Sequence, residues 1–172
     1  MSGKENRYYG IYRGTVFENI DPMQMGRIMA IVPDVGGATP SSWAMPCVPF
    51  AGKQMGAFVV PQRGAGIWMQ YEGGDPDSPV WIGGWWGNAA EVPALALAGV
   101  PGDPNIVLQS TLQNAVVISD LTGPAGGVML RSTLGATIIV NDTGIYIQNG
   151  KGANISLVGK QVFINDIALV VT

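Results

Sequence analysis

Side chains able to do acid–base or nucleophilic chemistry are scarce in this sequence, and their spacing narrows what they could do. The densest carboxylate group is Glu72, Asp75 and Asp77. Two carboxyls flanking a glycosidic bond, one with a raised pKa, would make a glycosidase. Their setting, Glu72-Gly73-Gly74-Asp75-Pro76-Asp77, spells a tight exposed turn instead. Calcium wants about six to eight oxygens, and three carboxylates fall short. Trp81, Trp85 and Trp86 could stack on bases as single-strand binders do. With a net charge of −3 and no basic run, the phosphates would find no electrostatic footprint. Packing within a barrel, or contact with a partner protein, suits these tryptophans better. Cys47 is the single cysteine, which excludes an intrachain disulfide and a Cys-based zinc site. Its apolar context, Met45-Pro46-Cys47-Val48, marks it as a packing residue. The chain has no histidine, which removes Ser-His-Asp and Cys-His catalysis and every His-ligated metal. No catalytic residue, cofactor or metal is expected.

What positions these residues is a chain of short strands. Twenty-five glycines and 12 prolines punctuate the 172 residues, and no window sustains a helical period. β-Branched and aromatic runs lie between the breakers, which predicts an all-β protein. Charged residues make up 12% of the chain, against roughly 25% in ordinary soluble domains. Much of the surface is therefore expected to be covered by copies of the chain or by partners. No apolar run is long enough to span a bilayer. The N-terminus, MSGKENRYYG, lacks the apolar stretch of a signal peptide, so the chain is expected to be made and folded in the cytoplasm.

Two regions differ in character. Residues 1–87 hold all five tryptophans and predict about five strands, near 9–18, 25–32, 45–50, 56–60 with 65–72, and 79–86. That number of strands in so short a stretch fits a small barrel such as an OB-fold. Met23, Met25, Met29, Met45, Met55 and Met69 read as adaptable packing residues, some of them free to serve a partner. Residues 88–104 carry three prolines and read as a linker. Residues 105–172 repeat: Val128-Met129-Leu130, Ile145-Tyr146-Ile147 and Val162-Phe163-Ile164 follow one another at intervals of 17 residues. A short fixed period of paired strands predicts a β-helix.

Period-2 alternation then assigns the faces of that second region. Val116, Ile118, Val128, Leu130, Ile138, Val140, Ile145, Ile147, Ile155, Leu157, Val162, Ile164, Leu169 and Val171 share one face. Each contributes roughly 1.5–3 kcal/mol when buried, so such a face cannot stay in water. Met129, Tyr146 and Phe163 make part of the opposite face apolar as well. Intertwining with identical chains, closed three-fold, solves both problems. The expected trimer core is Val128, Leu130, Ile138, Val140, Ile145, Ile147, Ile155, Leu157, Val162 and Ile164. The region's only acids, Asp120, Asp142 and Asp166, each stand beside a turn and read as solvated turn caps.

The residues that carry a family resemblance lie mostly in the first region. They are Tyr9-Gly10-Ile11-Tyr12-Arg13-Gly14-Thr15-Val16, Asp21-Pro22, Met25-Gly26-Arg27-Ile28 and Val32-Pro33-Asp34, then Trp43-Ala44-Met45-Pro46-Cys47-Val48-Pro49. Tyr71-Glu72-Gly73-Gly74-Asp75-Pro76-Asp77-Ser78-Pro79-Val80-Trp81-Ile82-Gly83 completes the set. Over residues 8–87 this resembles the OB-fold of contractile-tail baseplate spikes: phage baseplate assembly protein V, lysozyme-bearing central spikes, and VgrG of type VI secretion. The resemblance implies a collar followed by a triple-stranded β-helical needle, in the baseplate of a virion tail or of a phage-derived injection particle. It implies a non-enzymatic homotrimer that attaches to a hub and pierces the target envelope, with transient contact with the membrane. Only seven residues precede the barrel and no lysozyme follows it, so the likeness is to short spikes with the hub on a separate chain. The His-x-His apex of some short spikes cannot be carried over. A separate tip protein resembling PAAR-repeat cones is expected on Ile167, Leu169, Val170, Val171 and Thr172. The rival expectations are a single-strand nucleic-acid-binding OB protein and a carbohydrate-acting tail enzyme.

Overall fold

The computed structural model describes residues 6–166 and 168–171, and divides the chain into two compact units, Met1–Gly87 and Asn88–Thr172. In the first unit the strands are β1 (Tyr12–Glu18), β2 (Met29–Ile31), β3 (Met45–Pro46), β4 (Ala51–Gly52), β5 (Met55–Gly56), β6 (Gly66–Tyr71) and β7 (Pro79–Trp85). Five of them make one sheet in the order β2-β1-β6-β7-β3. Register shifts between Val16 and Glu18 and between Trp68 and Met69 curl it, because an extra residue on one strand bends the ladder. The curl brings the two sheet edges together at a single bridge, where Ala44 N–H donates to Ile28 O at 2.7 Å. β4 and β5 form a separate small hairpin, and of the strand expected over 56–60 with 65–72 only the β6 part is in the main sheet.

Inside the curl, alternate residues of the strands meet. Val16, Ile28, Ala30, Val32, Ala44, Ile67, Met69 and Trp81 are buried together. Trp81 brings a polar ring atom into that core, and its Nε1 donates to Gly26 O at 3.1 Å. The loop before β2 is held by one side chain. Asp21 accepts N–H bonds from Met23, Met25 and Arg27 at 2.9, 2.8 and 3.2 Å, and its Oδ1 takes the Arg27 guanidinium at 2.7 Å. The side chain of Asp21 is only 4% exposed. The Arg27 guanidinium, with the backbone donors behind it, holds the Asp21 carboxyl well below the usual carboxylate range.

A depressed folded-state pKa adds stability above the ordinary Asp value near 3.9, and that stability is lost as pH falls through the folded value. Asp21→Asn is therefore expected to lower the thermal midpoint of the first unit at pH 7. Its deficit against the parent should shrink as the pH is taken from 5 to 2, a trend read by calorimetry.

The second unit opens with residues 88–104, whose prolines suggest a tether but which fold locally. Asn88 caps a 3-10 turn at Ala89–Glu91 by accepting from Ala90 N–H, and the Asn105 side chain donates to Leu95 O at 2.8 Å. Then come β8 (Ile106–Gln109), β9 (Ala115–Ser119), β10 (Gly127–Arg131), β11 (Thr137–Asn141), β12 (Gly144–Gln148), β13 (Asn154–Val158), β14 (Gln161–Ile164) and β15 (Leu169–Val171). They lie side by side in chain order, every pair antiparallel. The 17-residue period is thus one up-and-down pair of strands. Each strand finds its ladder partners in its own chain, so other copies are needed to cover a face rather than to supply strands.

Glycines let the turns stack closely. Gly127 has φ +89°, and a Cβ there would lie 2.0 Å from Val140 O. Gly150, at φ +71°, leaves 2.6 Å to Leu134 O for the same atom. Only a residue without Cβ fits such approaches at positive φ.

Candidate assembly interface

The register of the second sheet sorts its side chains into ladders running across all the strands. One ladder on one face is Ile106, Ile118, Val128, Val140, Ile145, Leu157, Val162 and Val171. The other is Leu108, Val116, Leu130, Ile138, Ile147, Ile155, Ile164 and Leu169. The structure therefore brings the whole expected trimer-core set onto one surface. It adds Ile106 and Leu108, which the repeat had not reached. Within the chain this surface is bare. Val128, Leu130, Ile138, Val140, Ile145, Ile147, Ile155 and Leu157 are 37–46% exposed, and Val162 and Ile164 half-buried.

A run of aliphatic side chains this long is far beyond what a monomer leaves in water. The opposite face carries Val107, Val117, Met129, Ile139, Tyr146, Ser156 and Phe163 in one ladder, all half-buried or buried. Both faces are thus largely apolar along their middles, and they differ in exposure.

Two family models match the chain. The type VI secretion system/phage-baseplate injector OB domain covers residues 12–86, and the phage baseplate V C-terminal trimerisation domain covers residues 105–170. The chain belongs to the phage baseplate V family. No curated protein matches it closely enough to report. The curled first sheet is the family's injector OB domain, and the second is its trimerisation domain, so the working form is a homotrimer. A baseplate V protein is a spike component of the virion tail, and the family is structural rather than enzymatic.

The side chains with chemical potential have structural work in this baseplate V chain. Glu72, Asp75 and Asp77 stand in the connection between β6 and β7. There Ser78 N–H donates to Asp75 O and Asp77 N–H to Asp75 Oδ1, both at 3.0 Å, which closes the turn. Among the described residues no group of three His, Cys, Asp or Glu side chains is placed to hold a metal. The three tryptophans are not one platform. Trp81 is in the core, Trp86 is 62% exposed, and Trp85 donates its Nε1 to Ile67 O. The Trp85 ring shares a cation with Trp68, since the Arg13 guanidinium lies 5.2 and 5.3 Å from the two ring centroids. Gly66 makes room for that group, because a Cβ there would come 2.7 Å from the Trp85 ring.

One expectation is corrected. Cys47 is exposed rather than packed, since alternation through β3 buries Ala44 and half-buries Pro46 while turning Met45 and Cys47 outward. The methionines divide likewise: Met69 is fully buried, and Met23, Met25, Met45 and Met55 are exposed. Beside them stand Ile20, Phe50, Phe58 and Val59, each more than half exposed. Tyr71 packs against Tyr8 and Tyr12 at centroid distances of 6.1 and 5.7 Å, and burial pushes its hydroxyl up to about 12.

At the end of the chain, β15 is the outermost strand, with Leu169 and Val171 exposed. Val170 pairs with Phe163 in the ladder. Ile167 and Thr172, expected at a tip contact, lie outside the described residues.

Proposed function

We propose that three copies of this chain form the central spike of a contractile baseplate, which attaches to a hub and is driven through the target envelope when the sheath contracts. Residues 1–87 serve as a collar, 88–104 as a folded connector and 105–172 as the shaft. The observation that carries this reading is the pair of aliphatic ladders left bare in a sheet whose strands already pair within one chain. Val128, Leu130, Ile138, Val140, Ile145, Ile147, Ile155, Leu157, Val162 and Ile164 form the trimer core. A shaft built in this way works by stiffness, with every strand bonded to its neighbours and transient contact with the target membrane its only encounter with lipid. Nucleic acid has no place in this reading, given the net charge of −3 and the rings of Trp68 and Trp85 already stacked with Arg13. Light scattering on the purified protein tests it. A mass near three times 18.0 kDa is expected, and a folded monomer at micromolar concentration would sink the reading.

The collar offers the hub an apolar surface at Ile20, Phe50, Met55, Phe58 and Val59. The distal end offers β15, an edge strand with unpaired backbone groups and exposed Leu169 and Val171, a combination that invites end-to-end association. A separate cone of the PAAR type, seated on Ile167, Leu169, Val170, Val171 and Thr172, covers it. Deleting residues 167–172 is expected to leave the trimer mass intact while abolishing co-purification with the cone. If the cone still binds the shortened spike, the tip assignment falls.

A further inference from the structure

The trimerisation domain carries six charged side chains after residue 105: Asp120, Arg131, Asp142, Lys151, Lys160 and Asp166. All six stand at strand ends or in turns. Because the strands run up and down in chain order, consecutive turns fall on opposite edges of the sheet. One edge therefore carries Asp120, Asp142 and Lys160. The other carries Arg131, Lys151 and Asp166. Read from β9 towards β15, the first edge is minus, minus, plus, and the second is plus, plus, minus.

Among the described residues, none of the six stands in an ion pair given by the structure. The ion pairs Arg27–Asp21 and Arg63–Glu18 both belong to the OB domain. Asp142 accepts from Gly123 N–H at 3.1 Å and Asp166 from the Asn154 side chain at 3.1 Å, so each is anchored on its own edge with charge to spare. A cyclic trimer is heterologous: each copy presents one edge to the next copy's other edge. Two edges of inverse sign are what such a contact requires.

We propose that these turns fix the register of the trimer, with Asp120 facing the next copy's Arg131, Asp142 its Lys151 and Lys160 its Asp166. This rests on the trimeric shaft argued above and adds its handedness. Turns on the two edges alternate by one strand, so the three pairs line up only if each strand climbs by one strand spacing across the sheet. Over a five-residue strand of about 17 Å that climb, about 4.8 Å, is a tilt of roughly 15°. The opposite tilt would set Lys160 against Lys151 and leave Asp120 facing the uncharged Ser110–Asn114 turn. Like charges held together there penalise the wrong register, and register rather than raw affinity is what such pairs supply.

The experiment is disulfide trapping in the full chain with Cys47→Ser. Residues 160 and 166 are separated by β14 and sit on opposite edges, beyond the reach of a bond within one chain. Lys160→Cys with Asp166→Cys should close into a covalent trimer under mild oxidation, while Lys151→Cys with Lys160→Cys should not. The reverse result, or equal trapping of both pairs, overturns the proposed tilt. Trapping of neither, in protein whose native mass is trimeric, overturns the edge pairing and leaves the trimer standing. A monomeric parent removes both. As a second measure, Lys160→Asp should lower the unfolding midpoint of the trimer, and adding Asp166→Lys should restore it. Failure of the double variant to recover counts against the pair.

Discussion

Replacing Ile147 with aspartate abolishes the trimer. Ile147 stands mid-ladder between Ile138 and Ile155, on the bare face of the sheet. In the trimer core proposed above its side chain has no route to water, and three-fold symmetry repeats the substitution three times around one axis. An unpaired buried charge costs several kcal/mol, so the variant loses on the order of 10 kcal/mol per trimer, comparable to the net stability of a whole domain. Gln148→Asp, one residue along and on the opposite face, is the control and should assemble normally. Size-exclusion chromatography with light scattering reads both. An Ile147→Asp protein of unchanged mass would mean that the other face is the one the trimer buries.

The second large effect comes from dividing the chain. A fragment of residues 1–87 should be monomeric, and one of residues 88–172 should trimerise alone. The reason lies in where each sheet hides its apolar side chains. The first curls around its own, with Ile28, Ile67 and Met69 fully buried within a single copy. The second leaves two ladders bare on one face. Should the first fragment form a trimer as tight as the parent, the OB domains would be holding the assembly, and the proposed division of labour fails.

Both regions could be recognised in the sequence because each follows a simple rule. The trimerisation domain announces itself by alternation and by the interval of 17 residues, which together put Val128, Leu130, Ile138, Val140, Ile145, Ile147, Ile155 and Leu157 on the one face where the register also lines them up. Ile106 and Leu108 escaped that rule. The long turn at residues 120–126 breaks the period, and only their own alternation, Ile106-Val107-Leu108, signals where they belong. In the OB domain, strand number and composition suffice for the class, but not for details set by distant partners. The role of Asp21 depends on Arg27 and three backbone donors meeting in a folded loop, and the contact of Arg13 with the rings of Trp68 and Trp85 depends on the registers of β1 with β6 and of β6 with β7. Cys47 was misplaced because an apolar neighbourhood in sequence says nothing about which side of a strand a residue takes.

The up-and-down strand pair also makes the shaft a unit of measure. One 17-residue repeat adds two strands, and so about 9.5 Å of length, while returning the chain to the same edge with every side chain on its former face. A lineage that needs to reach through a thicker envelope can thus lengthen its spike by duplication in whole steps, without redesigning either end. Insertion of a single strand would leave the last turn on the wrong edge, whereas extra turn residues, as at 120–126, keep every side chain on its face. Natural variants of this spike should therefore differ in length by multiples of a strand pair.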